Sequence, residues 1–439
     1  MRSRVLSFAA LFAIVVTVVS PAARASCSGA PVMPPLSFAA PSIVDPGRAG
    51  GEPSVLGLSD GTLLYASHAG TTHLYKPNVG DPEFITPYNN SVYMWRSTDD
   101  GGTWRYVGLE GTQYGPNALT GYSDPTLAED SAGNAYVAGI DLANVYVAKS
   151  GDRGSTWLGQ PGAAFGTDRE WLAADQPNVV YMNGNAEAGG RTLWKSKDGG
   201  LTWNWTGGYH IDGGGPPSPI AVDPTDGRLY FPAESVVEVF PDARAGDYST
   251  KFESYVFGGL DRAHGFFNSI AIDGAGNVYV AWNDEHSVGV VYSTDRGSTW
   301  SRTTVATSPN RILWPWVSAR GDGHVGLSWL QADAGVTDYY VWGAESITAH
   351  GWADTCATSH APIWQSALAT PSPIHHGTIC EQGTTCNLSV TADRRLGDYH
   401  TNSITKDGKL VIAYANTTFK PSSDVSRPGF VRQETGASL

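Results

Sequence analysis

One eight-residue pattern, Ser-x-Asp-x-Gly-x-Thr-Trp, occurs four times in this sequence and constrains its fold more than any other feature. The copies are Ser97–Trp104, Ser150–Trp157, Ser196–Trp203 and Ser293–Trp300. Their starts are 53, 46 and 97 residues apart, so the last interval spans two periods and one copy has diverged. A repeat of about 50 residues is typical of propellers and solenoids.

The residue types in the pattern predict a turn between two strands. Aspartate can accept hydrogen bonds from backbone N–H groups a few residues on, glycine supplies a positive φ, and threonine begins the next strand. Tryptophan presents a large apolar face for packing against a neighbouring sheet. Nothing in the pattern is chemically reactive, so we interpret the copies as structural.

A second pattern, two apolar strands joined by a tight turn, occurs seven times. The hairpins are Pro53–Ser67, Pro125–Ile140, Trp171–Asn183, Pro219–Ala233, Ser269–Asn283, Val317–Gln331 and Asn402–Asn416. Six of the seven turns contain Asp-Gly or Gly-Asn pairs, which are strong hairpin signals. Phe240–Glu253 stands where the diverged copy is expected. The sequence therefore predicts an all-β chain forming a single β-propeller of seven four-stranded antiparallel blades, with six blades as the alternative.

The N-terminus has the composition of a secretory signal peptide. Arg2 and Arg4 precede an apolar run from Val5 to Val19, and small residues end at Ala25, where we expect cleavage. The run is short for a membrane span. We expect residues 1–25 to be the signal, 26–50 an N-terminal segment and 51–439 the propeller, with an irregular cysteine-containing insertion near 345–397. Either the segment around Leu36–Val44 or the C-terminal strand near Gly429–Arg432 is expected to close the ring. The protein is predicted to be secreted, soluble and monomeric.

The remaining composition narrows the partners. Four cysteines, Cys27, Cys356, Cys380 and Cys386, predict two disulfides with three connectivities open. No Cys-x-x-Cys pattern exists, and we predict neither a metal nor a cofactor. A net charge of −14 argues against nucleic acid and anionic membranes as partners, although a local basic pocket could still hold an anionic substrate.

The propeller architecture selects candidate site residues. The repeated turns join third and fourth strands, so the opposite face consists of loops entering each innermost strand and loops between second and third strands. The entry loops contain Glu52, Asp124, Asp168, Arg169, Glu170, His264, Asn268, Arg311, Trp314, Arg394, Arg395, Asp398, Tyr399 and His400. The other loops contain His68, His73, Asp141, Glu234, Asp284, Glu285 and His286.

These residue types suit carbohydrate chemistry. Paired carboxyls can serve as acid and base in glycoside cleavage, arginines can bind a substrate carboxylate, and aromatic rings can stack on sugars. Structural interpretations compete at several positions. Glu52 and Asp124 precede prolines and are interpreted as turn formers, and Trp171 and Trp314 have the character of core residues. The pair His68 and His73 suits a solvent-exposed loop.

At the four repeated turns the chain resembles the sialidase superfamily, whose members carry such turns as Asp boxes. Asp168–Ala173, Trp314–Val317 and Arg394–Tyr399 also look like segments of secreted bacterial exo-α-sialidase-like proteins. The resemblance covers about residues 50–417 and implies a propeller. Related propellers include xyloglucanases, sortilin-like receptors and assembly factors, so the resemblance is specific for fold rather than activity.

Sialidases use an arginine triad for the substrate carboxylate, a Tyr–Glu nucleophile pair and an aspartate as acid/base. The resemblance implies a site of this kind in the present chain. The Arg-Ile-Pro type motif that supplies the family's first arginine is absent here. From position in the repeat we predict the following site. The clamp is Arg169, Arg311 and Arg395; the nucleophile and its base are Tyr399 and Glu170; the acid is Asp168 or Asp398; further substrate contacts are His68, His73, Trp171, Trp314 and His400.

The sequence predicts a secreted, sialidase-like glycoside hydrolase that acts on a glycan, with an acidic sugar as one option. Two alternatives remain open at this stage. One is a non-catalytic extracellular propeller that binds glycan or protein. The other is a polysaccharide lyase that uses histidine and tyrosine.

Overall fold

The computed structural model describes most of the chain. The described residues are 27, 29–68, 92–108, 123–141, 144–165, 167–185, 190–203, 209–211, 218–233, 236–246, 248–255, 268–333, 337–381, 392–423 and 425–439. The predicted signal peptide, His73, Glu234, His264 and Cys386 lie outside these ranges. None of the described segments forms a helix long and apolar enough to cross a membrane.

Seven antiparallel sheets form the blades of one propeller, as the hairpin pattern predicted. Two short strands come first, β1 (Ser37–Phe38) and β2 (Ser42–Ile43). Blade I follows as β3 (Ser54–Gly57), β4 (Leu63–Ser67), β5 (Tyr93–Ser97) and β6 (Arg105–Tyr106). Blade II consists of β7 (Ser123–Glu129), β8 (Ala135–Asp141), β9 (Asn144–Ser150) and β10 (Leu158–Phe165).

The next three blades repeat the same order from the channel outward. Blade III consists of β11 (Trp171–Ala174), β12 (Val180–Asn185), β13 (Arg191–Ser196) and β14 (Tyr209–Ile211). Blade IV consists of β15 (Ala221–Val222), β16 (Leu229–Ala233), β17 (Val236–Phe240) and β18 (Phe252–Tyr255). Blade V consists of β19 (Ile270–Ile272), β20 (Val278–Asn283), β21 (Ser287–Ser293) and β22 (Ser301–Thr307).

Blade VI carries the irregular insertion. It consists of β23 (Ile312–Ala319), β24 (Val325–Ala332), β25 (Asp338–Ser346), β28 (Gln365–Leu368) and β29 (His375–His376). The insertion also contains the hairpin of β26 (Trp352–Ala353) with β27 (Ser359–His360) and the parallel pair of β30 (Thr378–Ile379) with β31 (Ala392–Asp393).

Blade VII joins the two ends of the chain. Its inner strands are β32 (Thr401–Ile404), β33 (Leu410–Asn416) and β34 (Arg427–Thr435). Both β1 and β2 pair with the outer edge of β34, with Ser37 opposite Thr435 and Ser42 opposite Phe430. Hydrogen bonds between segments almost 400 residues apart therefore close the ring. Ser37 Oγ also lies 2.7 Å from Thr435 Oγ1, and the two residues are 398 positions apart in the sequence.

The four repeated turns form the same hydrogen-bond network, which explains their fixed residues. In Ser196–Trp203 the Asp198 carboxylate accepts from Thr202 N at 2.8 Å and from Thr202 Oγ1 at 2.5 Å, while Ser196 Oγ accepts from Gly200 N at 2.8 Å. In blade IV, where the copy has diverged, Asp242 accepts from Thr250 Oγ1 at 2.6 Å. The Asp–Thr bond has survived there and Gly246 has a positive φ of 89°, although the tryptophan of the pattern is absent.

A cavity of about 440 Å³ lies along the central channel. Every blade contributes an innermost strand or its approach to this cavity, including Ser54, Thr126 and Thr401. Three aromatic rings pack together at one end: the Tyr399 ring centroid lies 5.2 Å from that of Trp171 and 5.9 Å from that of Trp316. Trp171 and Trp316 line the cavity, so the aromatic group separates it from the strand entrances.

A disulfide joins Cys27 to Cys356 across 329 residues of sequence. It ties the segment before β1 to the β26–β27 hairpin of blade VI. Cys380 is also disulfide-bonded. Disulfides of this kind are typical of proteins that fold outside the reducing cytosol.

Candidate functional site

Hydrogen bonds between neighbouring innermost strands show which residues are equivalent in different blades. Val55 N donates to Thr401 Oγ1 at 2.8 Å, and Leu172 N donates to Thr126 Oγ1 at 3.4 Å. Val317 N makes the same bond to Ser269 Oγ at 2.9 Å. These bonds align the first residue of each innermost strand that lines the channel, namely Ser54, Thr126, Trp171, Trp316 and Thr401. The residue two positions before each of them is therefore equivalent from blade to blade. We call these the entrance residues: Glu52, Asp124, Arg169, Trp314 and Tyr399 in blades I, II, III, VI and VII.

Four entrance residues have a left-handed backbone. Their φ angles are 47° at Glu52, 51° at Asp124, 59° at Arg169 and 53° at Trp314. The conformation costs of order 1–3 kcal/mol for a non-glycine residue and is concentrated at functional sites. Three of the four also precede a proline, which restricts their backbone further. These four residues lie together at one end of the ring, and Asp100, Arg153 and Arg296 in the repeated turns also have positive φ.

Glu52 is the centre of the cluster at this mouth. Its side chain is buried, and one carboxylate oxygen, Oε2, bonds His68 Nε2 and lies 3.3 Å from Asp124 N, which donates to it. The other oxygen, Oε1, accepts from Asp398 N at 3.0 Å. A single carboxylate therefore holds the backbones of Asp124 and Asp398 close together, from blades II and VII.

Two arginines surround Asp398. Arg394 binds both carboxylate oxygens of Asp398, with Nη2 to Oδ2 at 2.7 Å, and lies 3.8 Å from Glu52 Oε1. Arg169 Nη2 approaches Asp398 Oδ2 at 3.6 Å. Asp398 is thus held as an ion-paired carboxylate, which Arg394 supports from the buried side.

The carboxyls of the mouth titrate in opposite directions. Burial, with the charge and hydrogen bond of Glu52, raises the pKa of Asp124 well above its ordinary value. Burial alone would raise the pKa of Glu52, but the charge and hydrogen bond of His68 and the hydrogen bond to Asp124 outweigh it and lower that pKa. The pKa of Asp124 is therefore raised while that of Glu52 is lowered, as expected for two close carboxyls of which one is favoured to hold a proton.

Glu170 is a second carboxyl whose pKa is raised. It is fully buried, and among the described residues neither of its oxygens has a hydrogen-bond partner. Burial, helped by the charges of Asp168 and Glu52, raises its pKa well above the usual range. Because both oxygens lack partners, Glu170 is not hydrogen-bonded to Tyr399, the pair that the sequence assigned as base and nucleophile.

Tyr399 itself spans the channel entrance. Its hydroxyl donates to Pro125 O at 3.0 Å, and burial raises the pKa of this phenol. Asp168 projects from the neighbouring loop with 54% of its side chain exposed, 3.8 Å from Arg169 Nε. The structure therefore brings Asp168, Arg169, Glu170, Asp398 and Tyr399 to one mouth.

Other predicted site residues lie in different surroundings. Arg395 binds Asp393 through Nε and Nη2 and donates to Ser423 O at 2.8 Å. Arg311 pairs with Glu381. Trp171, Trp314 and His400 are buried, and Trp314 packs in the core between blades VI and VII. His68 reaches the cluster through Glu52.

Sequence reasoning did not select Glu52 and Asp124 as catalytic candidates, and it passed over Arg394 in favour of Arg395. The signal for the first two was an acid followed by proline at two successive strand entrances, with Trp314-Pro315 as a third example. Each one alone suits a turn. Their recurrence at equivalent positions in the repeat was the informative feature.

Glu52, His68 and Asp124 also offer ligand atoms within 4.8 Å of one another. Carboxylate oxygen and imidazole nitrogen are donors that several divalent cations accept. In this structure Glu52 bonds both His68 and Asp124 instead.

His400 makes the stability of the ring dependent on pH. It is buried with Nε2 at 2.9 Å from Ser328 Oγ, and burial lowers the pKa of this imidazole from 6.5 to about 3. The unfolded chain therefore binds one more proton between those pH values, so acid lowers stability. Below pH 6.5 this proton lowers the free energy of unfolding by about 1.4 kcal/mol per pH unit, and we expect His400→Gln to abolish that dependence.

Urea unfolding of both proteins between pH 4.5 and 6.5 measures this difference, since every other titrating group is shared. His286→Gln, at an exposed histidine, is the matched control. We expect its free energy of unfolding to change with pH as steeply as that of the native protein. Identical slopes for the native protein and His400→Gln would contradict the assignment.

Comparison with known proteins found only remote structural similarity. No described protein family matches the sequence, and no curated protein matches it. A GH74 xyloglucanase from Xanthomonas campestris is 14% identical over 90% of this chain and 55% of its own, with a TM-score of 0.49. YCF48 from Cyanidioschyzon merolae is 12% identical over 90% and 98%, with a TM-score of 0.45.

A Hadza microbial sialidase is 14% identical over 89% of this chain and 66% of its own, with a TM-score of 0.39. At such identities and scores these similarities carry no argument about activity. The chain itself defines the class: a seven-bladed β-propeller with a strained, carboxyl-rich mouth.

Proposed function

We propose that the chain is a glycoside hydrolase whose active site is the mouth lined by the entrance residues. The observation that carries the proposal is the pairing of carboxyls with opposed pKa shifts on one buried hub. Asp124 holds a proton, while Glu52 stays ionised and binds the backbones of both Asp124 and Asp398. Carboxyls whose environments separate their pKa values are what acid–base cleavage of a glycosidic bond requires.

Asp124 is the proton donor in this proposal. Its side chain is 17% exposed, so a glycosidic oxygen can reach it, whereas Glu52 and His68 lie beneath it. Protonation of the leaving oxygen breaks the glycosidic bond, and the proton on Asp124 moves to that oxygen.

Asp398 is the ionised partner. Its ion pairs with Arg394 and Arg169 orient the carboxylate, which in this proposal activates a water molecule or attacks the anomeric carbon. Glu52 and His68 are positioning residues, because they contact Asp124 and Asp398 rather than the sugar. Tyr399 supports the floor of the site through its bond to Pro125.

The proposal departs from the sialidase arrangement in its assignment of roles. The buried Tyr399 hydroxyl already donates to a carbonyl, and Glu170 does not bond it. We therefore propose a sialidase-like scaffold with a two-carboxyl mechanism. The Cys27–Cys356 disulfide and the predicted signal peptide support export, which would bring the site to external glycans.

Release of sugars from a panel of neutral, amino, acidic and sialylated glycans tests the proposal. We expect the full-length chain to release new reducing ends from at least one class, and the activity to fall at alkaline pH as Asp124 loses its proton. Glu253→Gln, an exposed outer-strand carboxyl, is the matched control and is expected to retain the activity.

Other outcomes would contradict the hydrolase. Unsaturated sugar ends would identify a lyase instead. Glycan binding without release from any class would favour a non-catalytic propeller.

A further inference from the structure

A groove separate from the carboxyl cluster lies on the mouth face of blade VII. Its volume is about 440 Å³, which is within the range of small-ligand sites. The loop between β33 and β34 forms one wall, and this loop lies at the mouth end because each second strand runs back toward the mouth. Strand β2 and the insertion segment 370–374 form the rest. Six apolar side chains line the groove: Pro41, Ile43, Pro371, Pro373, Tyr414 and Phe419.

Phe419 is held in place at the edge of this groove. Its side chain is 52% exposed, and no other exposed large hydrophobic side chain in the described ranges is aromatic. Asn416 Oδ1 accepts from Phe419 N at 2.8 Å and from Thr418 N at 2.9 Å, while Thr418 Oγ1 donates to Pro373 O at 2.8 Å. A ligand that stacks on the ring therefore meets a preorganised surface, so little entropy is lost in ordering it.

The polar part of the groove is uncharged. Within the described part of the chain its polar lining residues are Ser42, Thr370, Ser372, Asn416 and Thr418, and no lining side chain carries a charge. A charged group buried here would lose its water without gaining a counter-ion, whereas a ligand hydroxyl can bond to serine and threonine hydroxyls. A neutral sugar fits this surface, because it presents an apolar face of C–H groups and an edge of hydroxyls.

The groove is continuous with the mouth through the loop that carries Phe419. Ser423 follows in the same loop, and its carbonyl accepts from Arg395 Nη1 at 2.8 Å. Arg395 is the sequence neighbour of Arg394, which binds Asp398. A chain of several sugars that lies on Phe419 is therefore directed along the same face toward the carboxyl cluster.

We propose that this groove is a distal subsite for the neutral part of a glycan chain, with Phe419 stacking on a sugar ring. The inference rests on the proposed function for the glycan, and it favours a neutral sugar over the acidic one that the sequence left as an option. None of the groove residues belongs to the carboxyl cluster, so the subsite contributes to binding of long substrates and not to the chemical step.

Calorimetry with hexasaccharides tests the subsite. The neutral probes are hexamers of glucose, mannose, xylose and N-acetylglucosamine; a galacturonic acid hexamer and a proline-rich decapeptide represent the competing classes. Full-length Asp124→Asn protein is used, so that binding is measured without cleavage. We expect at least one neutral hexamer to bind more tightly than the acidic hexamer and the peptide. Phe419→Ala should weaken that binding about tenfold, through the loss of the ring and its buried area, and Phe419→Tyr should keep it.

Leu158→Ala is the matched control, because it removes an apolar side chain of similar exposure directly after a repeated turn on the opposite face, and it should keep the affinity. Binding of no neutral hexamer, equal or tighter binding of the acidic hexamer or the peptide, or an affinity that Phe419→Ala leaves unchanged would overturn the subsite. Binding that depends on Phe419, in a wild-type chain that cleaves nothing, would retain the subsite and reject the hydrolase.

Discussion

Asp124→Asn is expected to lower kcat by about 10²–10⁴-fold, because it removes the proton that the leaving oxygen requires. Asparagine keeps the shape of the side chain and tolerates the left-handed backbone found at this position. Its amide can donate to Glu52 as the protonated carboxyl does. The substitution therefore removes a transferable proton and little else.

Steady-state rates on two aryl glycosides separate this role from a structural one. A substrate whose leaving group needs no protonation should lose much less activity in the variant than one with a poor leaving group. The variant should also lose the alkaline fall in activity that the native protein shows. Equal losses on both substrates, or a lower melting temperature that accounts for the change, would mean that Asp124 does not act as the acid.

Gly397→Ala is expected to destabilise the fold by about 2–4 kcal/mol and to abolish activity. Gly397 has a φ of 81°, and a Cβ there would lie 2.1 Å from Glu52 Cγ. Glu52 is buried and holds three partners, so it cannot move aside without releasing His68, Asp124 and Asp398. The loss therefore combines backbone strain with the disruption of the hub.

Gly377→Ala is the matched control, because its φ is 97° and a Cβ there would meet nothing within 4 Å. It should show the strain alone, about 1 kcal/mol, and keep the activity. Chemical denaturation and kcat/KM on the same preparations give both numbers. If the two alanine variants were equally stable and equally active, the packing of Gly397 against Glu52 would contribute to neither stability nor activity.

The repeat made the fold readable in advance because its signals are local. Each Ser-x-Asp-x-Gly-x-Thr-Trp turn bonds within itself, as Asp198 does with Thr202, and each inner hairpin is defined by its own turn residues. Seven such units can be counted along the chain without any knowledge of long-range contacts. Even the diverged copy was placed correctly from the spacing, between the third and fourth strands of blade IV.

The site could be predicted only in part, because its contacts join four blades. The choice between Arg394 and Arg395 illustrates the difficulty. The two are neighbours in sequence, yet Arg394 faces Asp398 and Glu52 while Arg395 turns toward Asp393 and Ser423. Strand direction and the positive φ at Gly397 decide which guanidinium enters the mouth, and neither follows from residue type.

Local hydrogen-bond chemistry in the chain was therefore sufficient for the seven blades and the position of the divergent turn. The tertiary structure decided which carboxyls meet. Glu52 and Asp124 look like ordinary turn formers before proline until ring closure brings Asp398 and Arg394 beside them. Their opposed pKa shifts arise from burial and from neighbouring charges, His68 beside Glu52 and Glu52 beside Asp124, which only the folded ring brings within contact distance.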